Sequence, residues 1–215
     1  MGIARSLERR LERLLDGAAG RAFTGQLHPA EIATRIAREA DLATFDHASG
    51  PATANRYLVT VNPDELGADT NDLRHALEVG FEEHAAEVGL RLEGPASITF
   101  TPDPKIRRGG LGCRPEVVPG PMVPWGKLTG PATLLLAPNR VLLGRSAACD
   151  AVYAATEVSR IHALIWREGG KVWIRDLHSA NGTYLDGAPL ADRAVNLEKG
   201  ARVGLASTEF RYTGA

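Results

Sequence analysis

Gly144-Arg145-Ser146, Ser159-Arg160-Ile161-His162 and His178-Ser179-Ala180-Asn181-Gly182-Thr183 are three polar clusters set among short apolar runs. The runs are Thr133–Leu136, Arg140–Leu143, Ala151–Tyr153, Ala163–Trp166, Lys171–Ile174, Thr183–Leu185, Ala201–Leu205 and Glu209–Tyr212. Turn signals such as Glu168-Gly169-Gly170, Asn181-Gly182 and Asp186-Gly187 part them. Short strands at regular spacing, with no helical period between them, predict an all-β sandwich over residues 131–215. The three clusters then fall on loops, where recognition chemistry concentrates.

Their residue types point to one kind of chemistry. Glycine lets a neighbouring backbone approach closely. Arginine offers a planar, permanently charged fork that matches phosphate oxygens. A serine hydroxyl donates one hydrogen bond, and an asparagine amide both donates to and accepts from a peptide backbone. No carboxylate pair, metal cluster or general base accompanies them, so no catalytic residue, cofactor or metal site is expected. The set suits recognition of a dianion beside an extended peptide rather than bond breaking.

Composition bounds the alternatives. The chain has 215 residues, with 25 Lys+Arg against 26 Asp+Glu and a formal net charge of −1. That balance conceals an asymmetry: residues 1–100 hold 10 basic and 16 acidic side chains (net −6), residues 101–215 hold 15 and 10 (net +5). A split of this kind marks two units with different partners. The longest clean apolar run, Leu134-Leu135-Leu136-Ala137, is far too short to span a bilayer. Near the N-terminus Arg5, Glu8, Arg9, Arg10, Glu12 and Arg13 interrupt the apolar residues, so no secretory signal is expected. Cys113 and Cys149 are too few for a disulfide framework or a zinc site; a reduced pair and a cytoplasmic location are expected.

The first half reads differently. Ile3, Leu7, Leu11 and Leu14/Leu15 recur at helical spacing and stop at Gly17 and Gly20. A second helix starts at Pro29 and runs through Ile32, Ile36 and Ala40. Arg56–Val61 has strand character, ended by Asn62-Pro63. A third helix carries Leu73, Leu77, Phe81, Ala85 and Val88, with Asp69 or Thr70 as its cap. Leu90–Leu92 and Ser97–Phe100 complete an α-α-β-α-β-β order, a small α+β domain over residues 1–101. Residues 102–130 are so rich in proline and glycine that a linker is expected there. Thr129 is its one threonine and the candidate for phosphorylation of the chain itself.

Gly-Arg-Ser, then Ser-Arg-x-His, then Asn-Gly-Thr, in that order on short strands, resembles a forkhead-associated (FHA) domain. Cys149-Asp150-Ala151-Val152, Val158–Ala163 and Asp176–Gly187 extend the likeness across roughly Pro131 to Ala215. The resemblance implies an eleven-stranded β-sandwich whose loops at one end bind phosphothreonine peptides. It implies that Arg145 and Ser159 hold the phosphate, that Arg160 sits beside the phosphate or peptide backbone, and that Asn181 bonds the peptide main chain. Gly144, His162, Gly182 and Thr183 match positions that keep the loops in shape. His178 stands where a glycine is common in the family, and Ala180 where serine or threonine is usual.

The first half resembles the N-terminal domain of actinobacterial FhaA-type proteins. Leu7–Glu12, His28–Ala33, Asn55-Arg56-Tyr57 and Gly94–Phe100 carry that likeness. It implies a place in Ser/Thr-kinase signalling, with ties to cell-wall synthesis or division. The implied partners are phosphothreonine-bearing proteins: a kinase or pseudokinase and its substrates.

Rival readings are weaker. A KH-like nucleic-acid-binding domain would suit the α/β order, but the −6 charge of residues 1–100 opposes it. An enzyme in the first half would need a nucleophile–base set; His75 and His84 fall on opposite faces of the third helix. Gly120–Lys127 is one residue too long for a P-loop, is stiffened by Pro121 and Pro124, and is followed by Leu128 rather than Ser or Thr.

Overall fold

Pro29 opens helix α1 (Pro29–Leu42), where its missing N–H costs nothing, and His28 Nδ1 caps the turn by accepting the Ala30 N–H at 3.2 Å. This is the first element of the computed structural model, which describes residues 26–67 and 69–214. The expected Ile3–Leu15 helix lies outside the described residues. One face of α1 buries Ile32, Ala33, Ile36, Ala37 and Ala40. Two short strands follow, β1 (Phe45–His47) and β2 (Gly50–Ala52), then β3 (Arg56–Val61). Helix α2 (Asn71–Glu87) has the Asp69 carboxylate and the Thr70 carbonyl at its start, bonded to the N–H groups of Asn71 and Arg74. It buries Leu73, Leu77, Phe81, His84 and Ala85, while His75 is exposed.

β3 is the middle strand of a three-stranded sheet. It pairs in parallel with β4 (Ser97–Pro102) and antiparallel with β5 (Leu111–Glu116). Tyr57, Val59 and Val61 turn to the core with no measurable exposure, and Tyr57 meets Phe81 edge-on at 5.0 Å between ring centres. Asn55 clamps the adjoining segments: its side chain donates to the Pro95 and Val118 carbonyls and accepts the Val118 N–H.

Two corrections concern this region. Leu90–Leu92 is not a strand; Arg91 alone makes a bridge, its N–H donating to the Pro51 carbonyl at 2.9 Å. The flanking Gly89, at φ +73°, turns the chain too sharply for an extended run. Residues 102–130, expected as a linker, supply two strands: β5 and β6 (Gly126–Thr129). β5 carries Pro115 because it is an edge strand, where a missing N–H breaks no ladder.

The described chain forms two compact units. One takes in residues up to Asp46, Ala52–Ala85 and Leu92–Gly120; the other comprises His47–Pro51, Ala86–Arg91 and Pro121–Ala215. The second is a sandwich of eleven strands among the described residues. Besides β6 these are β7 (Thr133–Leu136), β8 (Arg140–Gly144), β9 (Ala151–Val152), β10 (Ala163–Glu168), β11 (Lys171–Asp176), β12 (Thr183–Leu185), β13 (Ala188–Pro189), β14 (Val195–Asn196), β15 (Arg202–Leu205) and β16 (Thr208–Gly214). One sheet runs β14-β11-β10-β8-β9, the other β13-β12-β15-β16-β6-β7. Leu128, Leu136, Val141, Leu143, Ile165, Ile174, Val203, Leu205 and Phe210 fill the space between them.

β8 and β10 are covered on their outer face as well, where Leu142, Cys149, Leu164 and Trp166 form a second apolar cluster. That double burial is why these two strands read as near-continuous apolar runs rather than alternating ones. Trp166 and Trp173 face each other on β10 and β11, rings stacked at 6.5 Å, with the Arg140 guanidinium 5.0 Å over Trp166.

Candidate functional site: a basic cleft at one end of the sandwich

Three loops meet at one end of the sandwich: β8–β9, β9–β10 and β11–β12. Gly144 ends β8 and Arg145 follows, its N–H donating to the Ser159 carbonyl at 3.0 Å. The next amide, Ser146, donates to the Arg160 carbonyl at 3.1 Å. The two strand-like segments therefore run side by side and present Arg145 and Arg160 together. A Cβ at position 144 would collide with the Arg160 carbonyl oxygen, so this close approach requires glycine.

The Ser159 loop is stitched to the Asn181 turn at three points. Ser159 Oγ accepts the Ala180 N–H at 3.0 Å, and Asn181 Nδ2 donates to the Glu157 carbonyl at 2.8 Å. Between them lies His162, which is fully buried. Its Nδ1 accepts the Ser159 N–H at 3.0 Å, so the ring proton is on Nε2, which donates to the Gly182 carbonyl at 3.1 Å. Burial pushes the His162 imidazole below its ordinary pKa, against the opposing pull of the Gly182 carbonyl and Asp176, which keeps this bridge neutral.

Asp176 anchors the turn from below. Its carboxylate accepts from the Ser179 hydroxyl at 2.6 Å, the Ser179 N–H at 3.0 Å and the Thr183 hydroxyl at 2.5 Å. Burial alone would raise its pKa; the bonds from Ser179 and Thr183 outweigh that and hold it below the usual carboxylate value. Within the turn His178 takes φ +54° and Gly182 φ +78°, both in the left-handed region.

Arg145, Ser159, Arg160 and Asn181 all line one cleft of about 620 Å³. Among the described residues neither arginine has an ion-pair partner. Ser159 accepts through its oxygen and keeps its hydroxyl proton to donate. Asn181 commits one amide hydrogen to Glu157 and keeps the other, along with its carbonyl oxygen. The cleft therefore offers two guanidiniums, a hydroxyl and an amide around a space open to solvent. Gly144, His162, Gly182 and Thr183 sit behind it and hold the loops.

Ala148, Thr156 and Ile161, to which sequence reasoning assigned no role, also line the cleft, as does Glu157. Ile161 alone carried a signal: an aliphatic residue between two polar loop positions, and 46% exposed.

A model described as the FhaA N-terminal domain matches residues 5–114, just over half of the chain. The chain belongs to the FhaA N-terminal domain family. An FHA-domain model matches residues 141–206, from β8 through β15 and across all three cleft loops. Among curated proteins, none matches this chain.

Solved structures are similar to part of this FhaA-type chain. Mycobacterium tuberculosis EmbR in complex with a low-affinity phosphopeptide is 27% identical, with 42% of this chain and 24% of EmbR covered and a TM-score of 0.39. The matched segment thus spans about a quarter of the length of EmbR. An FhaA FHA domain complexed with the intracellular domain of a second protein is 26% identical, with 40% and 98% covered and a TM-score of 0.37. An FHA domain of an Arabidopsis thaliana protein is 26% identical, with 43% and 87% covered and a TM-score of 0.40.

Proposed function

We propose that this chain is a non-catalytic adaptor whose FHA domain binds phosphothreonine peptides. The observation that carries the reading is the pair of guanidiniums, Arg145 and Arg160, set without ion-pair partners among the described residues in the same cleft as the Ser159 hydroxyl. A phosphothreonine brings about −1.5 to −2 charges and three strong acceptor oxygens. Arg145 and Ser159 hold the phosphate, Arg160 lies alongside it, and Asn181 bonds the ligand's main chain.

Each charge-assisted bond contributes roughly 1.5–3 kcal/mol, so two or three supply much of the ~8 kcal/mol of a micromolar complex. Phosphorylation then works as a switch on ligand affinity, read out by this domain. The partners are phosphothreonine-bearing proteins in Ser/Thr-kinase signalling at the cytoplasmic side, with cell-wall synthesis or division as the process served. No described helix is long and apolar enough to cross a membrane.

The test is a titration of phosphothreonine peptides against their unphosphorylated twins, with parent and Arg145→Ala. Binding that needs the phosphate and is lost in Arg145→Ala supports the reading. Equal binding of phosphorylated and plain peptides overturns it.

A further inference from the structure

Arg91 lies outside the cleft, in the Ala86–Arg91 segment of the sandwich unit. Its side chain is only 7% exposed and forms a two-pronged ion pair with Asp150: Nη2 to Oδ1 at 2.8 Å, Nη1 to Oδ2 at 2.9 Å. Nη1 also donates to the Arg140 carbonyl at 2.6 Å, and Asp150 Oδ2 accepts the Leu142 N–H at 2.8 Å. One guanidinium and one carboxylate thus tie the first half of β8 to the far end of the loop that follows it.

That loop is the one that bears Arg145. Next to Asp150, the Cys149 N–H donates to the Ser146 carbonyl at 3.0 Å, closing the loop. The buried Cys149 thiol donates to the Arg160 carbonyl at 3.2 Å, the same oxygen that accepts the Ser146 N–H. Both cleft arginines therefore sit on backbone tied to the Asp150 end of the loop.

We propose that Arg91 is a positioning residue of the phosphate cleft: by holding Asp150 it sets the loop that carries Arg145 and, through Cys149, the backbone of Arg160. This role rests on the phosphothreonine reading of the cleft. Without Arg91, the mostly buried carboxylate loses its counter-charge and turns toward water, releasing the Leu142 N–H and the neighbouring Cys149. Two guanidiniums that must converge on one dianion then begin from a disordered loop, and binding must order it.

The test uses the full chain as parent, Arg91→Ala, Arg91→Lys and Asp150→Asn, and probes a phosphothreonine peptide and its unphosphorylated twin by fluorescence anisotropy. Amide hydrogen exchange is read in parallel. Arg91→Ala is expected to bind the phosphopeptide about tenfold more weakly, with Arg91→Lys in between because a lysine keeps the charge and loses one prong. Exchange should quicken at Ser146 and Cys149 and stay unchanged at Ile165 and Phe210, which a merely destabilised sandwich would not show.

Affinity within about twofold of the parent in a folded Arg91→Ala, with unaltered exchange at Ser146 and Cys149, overturns the role. Should Arg91→Ala fail to fold, parent-like affinity and exchange in Arg91→Lys and Asp150→Asn overturn it instead. A parent that ignores the phosphate on the peptide overturns the reading of the cleft together with this role. A parent that binds while Arg91→Ala matches it overturns the role alone.

Discussion

His162 Nδ1 accepts the backbone N–H of Ser159 at 3.0 Å, and the opposite edge of the same ring donates to the Gly182 carbonyl. One neutral imidazole therefore spaces the loop that offers the Ser159 hydroxyl from the turn that offers Asn181. A protonated ring has no lone pair for the Ser159 N–H, so the bridge exists only in the neutral form. Burial holds the folded-state pKa below the ordinary 6.5. The unfolded chain then takes up the proton first. Stability is full above about 6.5 and is lost as pH falls toward the folded-state pKa, where the loss levels off. Thermal melts between about pH 7.5 and 5.5 should show the parent falling. His162→Ala should be about 2 kcal/mol less stable at the upper end and flatter across the window. A parent as flat as the variant would show that His162 does not carry the pH dependence.

His178 holds φ +54° with its side chain 80% exposed, its ring nitrogen 3.9 Å from Asp192. A left-handed backbone costs a non-glycine residue roughly 1–2 kcal/mol, and glycine's extra freedom when unfolded returns about half of that gain. His178→Gly is therefore expected to stabilise the domain by about 0.5–1 kcal/mol. Denaturant midpoints check it: a midpoint at or below the parent's would mean that the His178 side chain contributes more than its strain costs. Phosphopeptide affinity should stay within about twofold, since His178 does not line the cleft.

The residues of the candidate cleft stood out in the sequence, whereas two strands of the frame around it did not. Arg145, Ser159, Arg160 and Asn181 stood in three short motifs on loops, and local residue type decides what a loop can do. β5 and β6 were hidden by Pro115, Gly112, Gly126 and Gly130, residues that usually mark loops. They are strands because non-local partners, β3 and β16, supply the ladders. Local propensity yields to such pairing, above all at sheet edges. Arg91 is the same lesson at the level of one side chain. It read as part of a strand, yet its guanidinium partners Asp150, far along the chain, and no local pattern signals that.

Gly144 packs against the Arg160 carbonyl so closely that no Cβ fits. Gly144→Ala must push apart the two segments that present Arg145 and Arg160. Overpacking of this kind costs about 1–3 kcal/mol. The variant should melt lower and bind the phosphopeptide at least about tenfold more weakly, because the Ser146 N–H to Arg160 carbonyl bond is broken with it. Retained affinity in a destabilised protein would show that the spacing of the two arginines is not what the phosphate reads.

Asn181 spends one amide hydrogen on the Glu157 carbonyl and faces the cleft with the rest of its amide. Asn181→Ala removes the ligand bond and the stitch to Glu157, and affinity should drop about tenfold. Asn181→Asp is nearly the same shape but has no N–H to donate, and it sets a carboxylate against the Glu157 carbonyl and beside the incoming dianion. Its affinity should fall well below that of Asn181→Ala. The part of the deficit that is charge repulsion should shrink as salt is raised from ~0.05 to ~0.5 M, because screening shortens the reach of exposed charges. Anisotropy titrations at both salt concentrations separate the two effects. If Asn181→Asp binds as well as Asn181→Ala at low salt, the phosphate does not sit beside Asn181, and the peptide runs through the cleft along another line.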